Sequence, residues 1–240
     1  MNKPPVTQTP GRKEQVRTMF DSIAHRYDFL NHFLSMGIDR SWRKKLVKIL
    51  ISQKPAHILD LATGTADLAI AAVKAKPVSI TGTDISEAML EIGREKVKNL
   101  GLDKLITLQQ ADSENLPFES SRFDAAMVAY GVRNYENLPK GLAEMNRVLK
   151  PGGCALILEF SRPETFPVKQ LFAFYFRFIL PLIGRMVSKH SSAYTYLPES
   201  VKVFPLGKEF TEIMQTAGFS RVEARKLSFG ITMLYTGYKD

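Results

Sequence analysis

One cysteine in 240 residues rules out an internal disulfide, so this chain relies on its own core and suits a reducing compartment. That residue, Cys154, sits inside an apolar stretch, which argues for an inert buried thiol and not a nucleophile. The four histidines, His25, His32, His57 and His190, have no ligand-like spacing with cysteine or acids, so no metal centre is expected. No segment resembles a signal peptide, and none is expected: residues 1–15 are polar, carry Pro4, Pro5 and Pro10, and have no apolar core. Residues 1–13 read as a disordered arm. No uncharged apolar run approaches the roughly 20 residues that span a bilayer. Acid is also short, with 24 Asp and Glu against 33 Lys and Arg and a net charge of +9. Such a balance favours an anionic partner, either nucleic acid or a phospholipid surface.

What is present is a regular α/β rhythm. With 45% hydrophobic residues, residues 14–240 are most simply one domain. Val16, Met19, Phe20, Ile23, Tyr27, Leu30 and Leu34 recur at helical spacing, and Trp42, Leu46, Val47 and Leu50 continue the pattern, giving a helical cover over 14–54. Pro55 breaks it. Strands are expected at 57–61, 78–83, 105–110, 123–129 and 154–159, alternating with helices at 66–74, 86–99 and 138–149; Lys150-Pro151-Gly152-Gly153 stops the last of these. A helix at 210–217 and strands near 221–227 and 232–238 follow, the two strands close enough to form an antiparallel hairpin. The fold class is α/β: a doubly wound, mostly parallel seven-stranded sheet with an antiparallel C-terminal hairpin.

The first strand runs into the most informative segment, His57-Ile58-Leu59-Asp60-Leu61-Ala62-Thr63-Gly64-Thr65-Ala66-Asp67. Twenty residues after Gly64, the second strand ends at Asp84. A turn that lets backbone approach a ligand, plus an acid able to take both ribose hydroxyls, suits a nucleotide-like molecule laid across two strand ends. A dinucleotide turn would need glycine at 62, 64 and 67, where the chain has Ala62, Gly64 and Asp67. A carboxylate at the helix start would also repel a pyrophosphate. A ribose-bearing ligand that is cationic or zwitterionic and has no phosphate fits better, and S-adenosylmethionine is that ligand.

Residues 166–205 depart from the rhythm and read as an apolar lid or substrate insertion. Phe166–Val187 is dense in Phe, Leu and Ile, interrupted by Lys169, Arg177 and Arg185 at intervals of eight and by Pro181. It is either a buried lid or an interfacial helix dipping into headgroups.

Phe20-Asp21-Ser22-Ile23-Ala24-His25-Arg26-Tyr27-Asp28-Phe29-Leu30-Asn31, continuing to Ser35-Met36-Gly37 and Trp42, resembles the opening signature of the ubiquinone/menaquinone biosynthesis C-methyltransferases. Arg147-Val148-Leu149-Lys150-Pro151-Gly152-Gly153 through Glu159-Phe160-Ser161 is similar to the family's second signature. Gly131-Val132-Arg133-Asn134 resembles its Gly-x-Arg-Asn turn. The resemblance implies a class I methyltransferase fold (Rossmann-like) that uses S-adenosylmethionine to methylate a ring carbon of a polyprenylated hydroquinone. It places cofactor contacts on Thr65 in the first turn beside Gly64, on Asp84 for the ribose, and on Asp112 and Ser113 for the adenine. The chain departs from the family at Ala129, where a serine is frequent, at Asp39, where a histidine is usual, and at Thr63 and Ala66, where the turn often has glycine. The texture of the Asp28-Phe29-Leu30-Asn31-His32 segment favours demethylmenaquinol as acceptor; the alternative is the ubiquinol precursor, or both.

The chemistry needs a general base, or a cation to stabilise a phenolate, beside the acceptor's hydroxyl. Arg133, at the carboxyl edge of the sheet, is the first candidate; its structural alternative is a loop-holding salt bridge to Asp28 or Asp112. Tyr27 and Asp28 could orient the quinol head, Tyr130 could stack on its ring, and Tyr194 and Tyr196 could line the pocket. Glu159 could support the site from behind, and His25 reads as a surface residue. A nucleic-acid methyltransferase is disfavoured, because an Asn/Asp-Pro-Pro-aromatic turn is missing after the fourth strand and the basic residues are scattered. A non-catalytic lipid-binding protein is disfavoured by the presence of Asp84 and Gly64. The expectation is a cytoplasmic enzyme peripherally associated with the inner face of an anionic membrane, with no nucleic-acid partner.

Overall fold

The computed structural model describes residues 11–179 and 192–240. Helix α1 (Arg12–Leu34) and helix α2 (Ile38–Gln53) precede strand β1 (His57–Leu61). Next come α3 (Asp67–Ala72), β2 (Ser79–Asp84), α4 (Glu87–Asn99), β3 (Ile106–Gln110), β4 (Phe123–Ala129), α5 (Leu138–Val148) and β5 (Leu149–Phe160). After α6 (Val168–Phe174), which widens into a π-helical turn over Tyr175–Ile179, come α7 (Ser192–Val203), α8 (Lys208–Thr216), β6 (Ser220–Leu227) and β7 (Thr232–Tyr238). The expected strands and helices are present, but the fifth strand begins at Leu149, so Lys150-Pro151-Gly152-Gly153, expected as a stop between helix and strand, belongs to β5 itself. The helical cover begins at Arg12, so Arg12 and Lys13 belong to α1 and not to the expected arm; residues 1–10 and 180–191, with Pro181 and Arg185, lie outside the described residues.

The sheet order is β3-β2-β1-β4-β5-β7-β6. β1 to β5 pair in parallel, and β7 runs antiparallel to both β5 and β6. Alternation along the strands sorts the core into two layers. Ile58, Ile80, Ala125, Met127, Leu156 and Leu158 pack towards α2, α3 and α4, whereas Leu59, Leu61, Ala126, Val128 and Ile157 pack towards α5 and α8. Asp60 shares the first of these faces with Ile58, so strand parity sends its carboxylate under α2. The chain order reverses between β1 and β4, and a crevice forms there at the strands' carboxyl ends.

The turn after β1 carries three left-handed residues, Ala62 (φ 49°), Gly64 (φ 57°) and Ala66 (φ 68°). Glycine takes this conformation freely; each alanine holds it at about 1–2 kcal/mol. A Cβ on Gly131 would come within 2.5 Å of the Ala62 Cβ, so glycine is what lets the turns after β1 and β4 meet.

Candidate active site

Two connected spaces open over the crevice. The narrower, about 70 Å³, is lined by Lys13, Tyr27, Gly64, Asp84, Asp112, Ser113 and Tyr135 among others. Asp84 Oδ2 accepts from the Gly64 N–H (2.8 Å) and Oδ1 from the Ser86 N–H (2.9 Å). Burial holds its carboxyl above the usual carboxylate range, and these N–H groups act against that shift. Each oxygen keeps a second acceptor direction for a diol. The Tyr27 ring lies 3.7 Å from where a Gly64 Cβ would stand, roofing the turn. Asp112 Oδ1 accepts from the Glu114 N–H (2.9 Å), closing the loop that presents Ser113. Gly64, Asp84, Asp112 and Ser113 are therefore brought together as the sequence implies. A ribose-bearing ligand fits this donor and acceptor set.

Thr65 and Asp28 behave differently. The Thr65 hydroxyl donates to Asp28, and Lys96 bridges Asp28 (2.8 Å) and Asp67 (2.5 Å). Asp28 thus clasps α1 onto the first turn and α4, and it does not line the wider space. Helix geometry explains it: Asp21 and Asp28, seven residues apart, share one face, and Asp21 accepts from the Ser86 hydroxyl (2.5 Å). Phe20, Ile23, Tyr27 and Asn31 occupy the neighbouring face and look into the site. At the start of α1, Lys13 pairs with Asp112 (2.7 Å) and Glu114 (3.4 Å), and Arg12 donates to the Arg133 carbonyl (3.0 Å).

The wider space, about 590 Å³, is mostly apolar, walled by α1, α2, α6 and α7. Trp42, Tyr130 and Phe160 form an aromatic floor, with Tyr130 and Phe160 centroids 4.4 Å apart. Arg133 projects beside it. Its guanidinium pairs with Glu159 (2.8 Å), donates to the Tyr130 carbonyl, and lies over the Phe160 ring, 5.5 Å from its centroid. The side chains are 8% and 0% exposed. The salt bridge considered from sequence exists, but its acid is Glu159 and not Asp28 or Asp112. Burial raises the Glu159 pKa and the guanidinium opposes that rise. Tyr27 lines both spaces, and burial raises its phenol's pKa against the pull of Asn31, Arg133 and Arg43. Tyr196 donates to Asn134 (2.9 Å), tying α7 to the Gly-x-Arg-Asn turn. Ala129 lines both spaces, and its side chain has no polar atom to offer. His25 is exposed, and the side chain of Tyr194 lies outside the described residues. Among the described residues no metal-binding group of His, Cys, Asp or Glu occurs. Cys154 is buried and its thiol is pushed up to about 11 by that burial.

Sequence reasoning missed Asp60 and Arg43. Asp60 is 1% exposed; Oδ2 accepts from the Thr63 hydroxyl (2.6 Å), and among the described residues Oδ1 has no partner at full hydrogen-bond geometry. Burial pushes its carboxyl up to about 7, against the Thr63 hydroxyl, the Ala69 amide and Arg43. Arg43 hydrogen-bonds Asp39 and stands 3.5 Å from Asp67. The i, i+4 spacing of Asp39 and Arg43 was the available signal.

This sheet order and crevice define a class I methyltransferase fold. Among solved structures, a SAM-dependent methyltransferase from Thermotoga maritima, described as a possible histamine N-methyltransferase, matches with a TM-score of 0.64 at 20% identity, covering 93% of this chain and 99% of its own. The (4+2)-cyclase SpnF matches with a TM-score of 0.69 at 15% identity over 95% and 96%. At such identities the likeness is one of fold, since a cyclase shares it.

The chain belongs to the ubiE/COQ5 methyltransferase family, whose profile matches residues 8–239. The demethylmenaquinone methyltransferase of Bacteroides fragilis is 49% identical over 236 residues, 98% of this chain and 96% of that protein. The ubiquinone/menaquinone biosynthesis C-methyltransferase UbiE of Geobacter sulfurreducens is 45% identical over 228 residues, 94% and 89%.

Proposed function

We propose that this protein transfers a methyl group from S-adenosylmethionine to a ring carbon of a reduced polyprenylated quinone, with demethylmenaquinol as the acceptor. The observation that carries the reading is the junction of the two spaces: a polar cleft with a carboxylate placed to take a ribose opens, over Gly64 and Tyr27, into an apolar chamber with the buried Arg133 guanidinium at its aromatic floor. Close relatives bearing the demethylmenaquinone methyltransferase name support the same acceptor.

When bound, the cofactor supplies an electrophilic methyl on a sulfonium. The protein's work is then to make the acceptor carbon nucleophilic and to keep water out. Ring carbon nucleophilicity rises as the adjacent hydroxyl gives its proton to a water at the mouth of the chamber, and the proton of the methylated ring carbon leaves to water as the ring regains aromaticity. The Arg133 guanidinium, fixed by Glu159 and the Tyr130 carbonyl, stabilises the resulting phenolate oxygen directly or through one water. The Tyr27 hydroxyl, kept protonated by burial, donates from the roof of the site. Trp42, Tyr130 and Phe160 give the ring a flat surface, while α1 and α6 exclude solvent.

The acceptor is lipid-borne, and α6 suits its delivery. Phe166, Leu171, Phe174 and Phe178 are exposed, and Leu171 and Phe174 also line the chamber together with Phe172, Tyr175 and Phe176. Lys169 and Arg177, both exposed, fall between the residues of this exposed row in sequence. No helix among the described residues is long and apolar enough to cross a membrane. Docking of this row at an anionic bilayer surface would open the chamber to the prenyl chain.

The test is methyl transfer from labelled S-adenosylmethionine, in detergent, to chemically reduced demethylmenaquinone and, in parallel, to the reduced ubiquinone precursor. Product on the naphthoquinol supports the proposal, and product on both makes the enzyme dual. Cofactor binding without label on either quinol overturns it.

A further inference from the structure

Scattered as they are in sequence, many of the basic residues are gathered by the fold onto one surface. Between Ile38 and Lys76 the exposed charges are Arg40, Lys44, Lys45, Lys48, Lys54, Lys74 and Lys76, with no exposed acid among them. The three acids of that stretch turn inward: Asp39 and Asp60 are buried, and Asp67 pairs with Lys96 and Arg43. Arg40, Lys44 and Lys48 follow one another at four-residue spacing, so they form one stripe along the outer side of α2, with Lys45 beside them. α2 packs against α3 and the 3-10 turn Val73–Ala75, which puts Lys74 and Lys76 next to that stripe. Other helices mix their exposed signs: α4 shows Glu91 and Glu95 with Arg94 and Lys98, and α8 shows Glu209 and Glu212 with Lys208. A solvated helix face ordinarily carries such opposite charges at i, i+4. On α2 the one acid, Asp39, is taken by the buried side of the helix through Arg43.

Apolar side chains stand beside this cationic surface. Among the described residues the three most exposed large apolar side chains are Phe166 (81%), Met36 (77%) and Phe229 (77%). Each is close in sequence to the chamber wall: Met36 lines it, as do Val168 after Phe166 and Ile231 after Phe229. Ile38, at the head of α2, is also both exposed and chamber-lining. Phe229 is tied to α2 directly, because Trp42 donates its indole N–H to the Ser228 hydroxyl (2.8 Å). Ser228 (φ 45°), Phe229 (φ 58°) and Gly230 (φ 91°) are all left-handed, a conformation that residues other than glycine resist. The turn between β6 and β7 therefore holds a phenyl ring out in solvent against its own backbone preference. Strain kept at an exposed aromatic points to a use for the ring outside the protein's own core.

We propose that the outer side of α2, with the Ser228–Gly230 turn beside it, is a second footing of this protein on an anionic phospholipid bilayer, separate from α6. Ammonium and guanidinium groups along a helix meet phosphate headgroups, and a neighbouring aromatic ring enters the acyl boundary. A nucleic acid would need aromatics interleaved among the cations; the exposed large apolar groups of α2 are Ile38 and Ile51, neither able to stack on a base. Since α2 and α6 both wall the chamber, footings on both hold it against the bilayer from two sides. The assignment rests on the reading that the acceptor is delivered from a bilayer, but not on which quinol is methylated.

The experiment is sedimentation of the full chain with vesicles of equal parts phosphatidylglycerol and phosphatidylcholine, and with phosphatidylcholine alone. The combined variant Arg40→Gln, Lys44→Gln, Lys45→Gln, Lys48→Gln is expected to bind the anionic vesicles at least about 25-fold more weakly, about fivefold for each of two or more cations at the surface. Lys98→Gln, Lys104→Gln, Lys140→Gln and Lys208→Gln together remove the same charge from exposed sites elsewhere and should cost less than about threefold, since solvent ions screen charges far from the contact. Phe229→Ser should weaken binding by about three- to tenfold. The added emission of Phe229→Trp should be quenched by vesicles with brominated acyl chains, whereas that of Leu100→Trp, just past the end of α4, should not. Methyl transfer to a detergent-dispersed quinol should be unchanged by the α2 substitutions. Equal losses from the two charge-matched variants, or undiminished binding of the α2 variant, overturn the proposal. So does a wild type that ignores anionic vesicles, including one that instead binds a short RNA through the α2 cations. Vesicle binding through α2 in a protein that methylates no quinol leaves the footing standing and defeats only the acceptor assignment.

Discussion

The cleft and the chamber lie side by side over the same crevice, yet they are built by different means. In the cleft, the groups that would hold the nucleoside come from strand ends and the turns directly after them: Gly64 after β1, Asp84 at the end of β2, Asp112 and Ser113 after β3. Their relative positions are set by sheet register, with Asp60 opposite Gly82 and Asp84 opposite Gln110. In the chamber, the walls come from α1, α2, α6 and α7, and sheet residues supply only the floor. Register fixes the first; side-chain packing between helices from opposite ends of the chain fixes the second.

The sharpest way to break this division is at Arg133, the charged group of the chamber floor. Arg133→Ala should lower kcat by about 10²- to 10³-fold, the usual cost of removing one stabilising donor to a developing oxyanion, while S-adenosylhomocysteine affinity changes little. It should also cost on the order of 3 kcal/mol of stability, because Glu159 is left buried and unpaired. Glu159→Gln keeps the cation and should slow the reaction much less. Equal kcat losses for the two variants would reduce Arg133 to a structural member of the pair and move the phenolate stabiliser elsewhere.

The alternation of strand and helix accounts for how much is legible in the sequence. Short apolar runs at β1, β2, β4 and β5, Gly64 in the first turn and Asp84 at the second strand's end give the fold and the cleft directly, because a parallel sheet covered on both faces buries its central strands throughout. Strand parity, carried to Asp60, places its carboxylate under α2. Helix α1 is less legible. Tyr27 and Asp28 are adjacent in sequence, which suggests a shared role, but consecutive helical residues point about 100° apart, so one roofs the first turn and the other clasps Thr65 and Lys96. Glu159 and Arg133 meet across two strands, a contact that linear spacing does not reveal.

Asp60 offers a test on the cleft's inner boundary, through pH. Its folded-state carboxyl is pushed up to about 7, above its unfolded value, so the native state binds the extra proton between roughly pH 4 and 7. Stability should therefore fall as pH rises through that window, with a slope from this group of up to about 1.4 kcal/mol per pH unit. Asp60→Asn should flatten that part of the profile of denaturation midpoints against pH in ligand-free protein. An unchanged profile would mean that Asp60 is ionised throughout.

On the chamber's outer wall, Phe166 and Phe178 are exposed and do not line the cavity. Replacing both with serine should weaken binding to vesicles rich in anionic lipid by about tenfold, given about 1.5–3 kcal/mol for each aromatic ring fully buried and only partial insertion. Turnover of a short-chain quinol in solution should be unaffected. Vesicle binding that is insensitive to these changes but abolished by salt would shift the docking from α6 to the protein's general positive charge.

The smallest effect belongs to Lys13, where the helical cover touches the cleft. Its ammonium occupies Asp112 Oδ2 at 2.7 Å, the carboxylate expected to read the cofactor's nucleoside, with both side chains about a third exposed. A pair this open is worth well under about 1 kcal/mol, so it can compete with a ligand but not exclude one. Lys13→Ala should therefore tighten S-adenosylhomocysteine binding by about two- to threefold, with the gain appearing in the association rate as α1 releases more readily. A weakened affinity would instead make Lys13 part of the closed binding site, held over the nucleoside by Asp112 and Glu114. The boundary between cover and cleft would then be drawn one helical turn earlier, with α1 counted among the elements that recognise the cofactor.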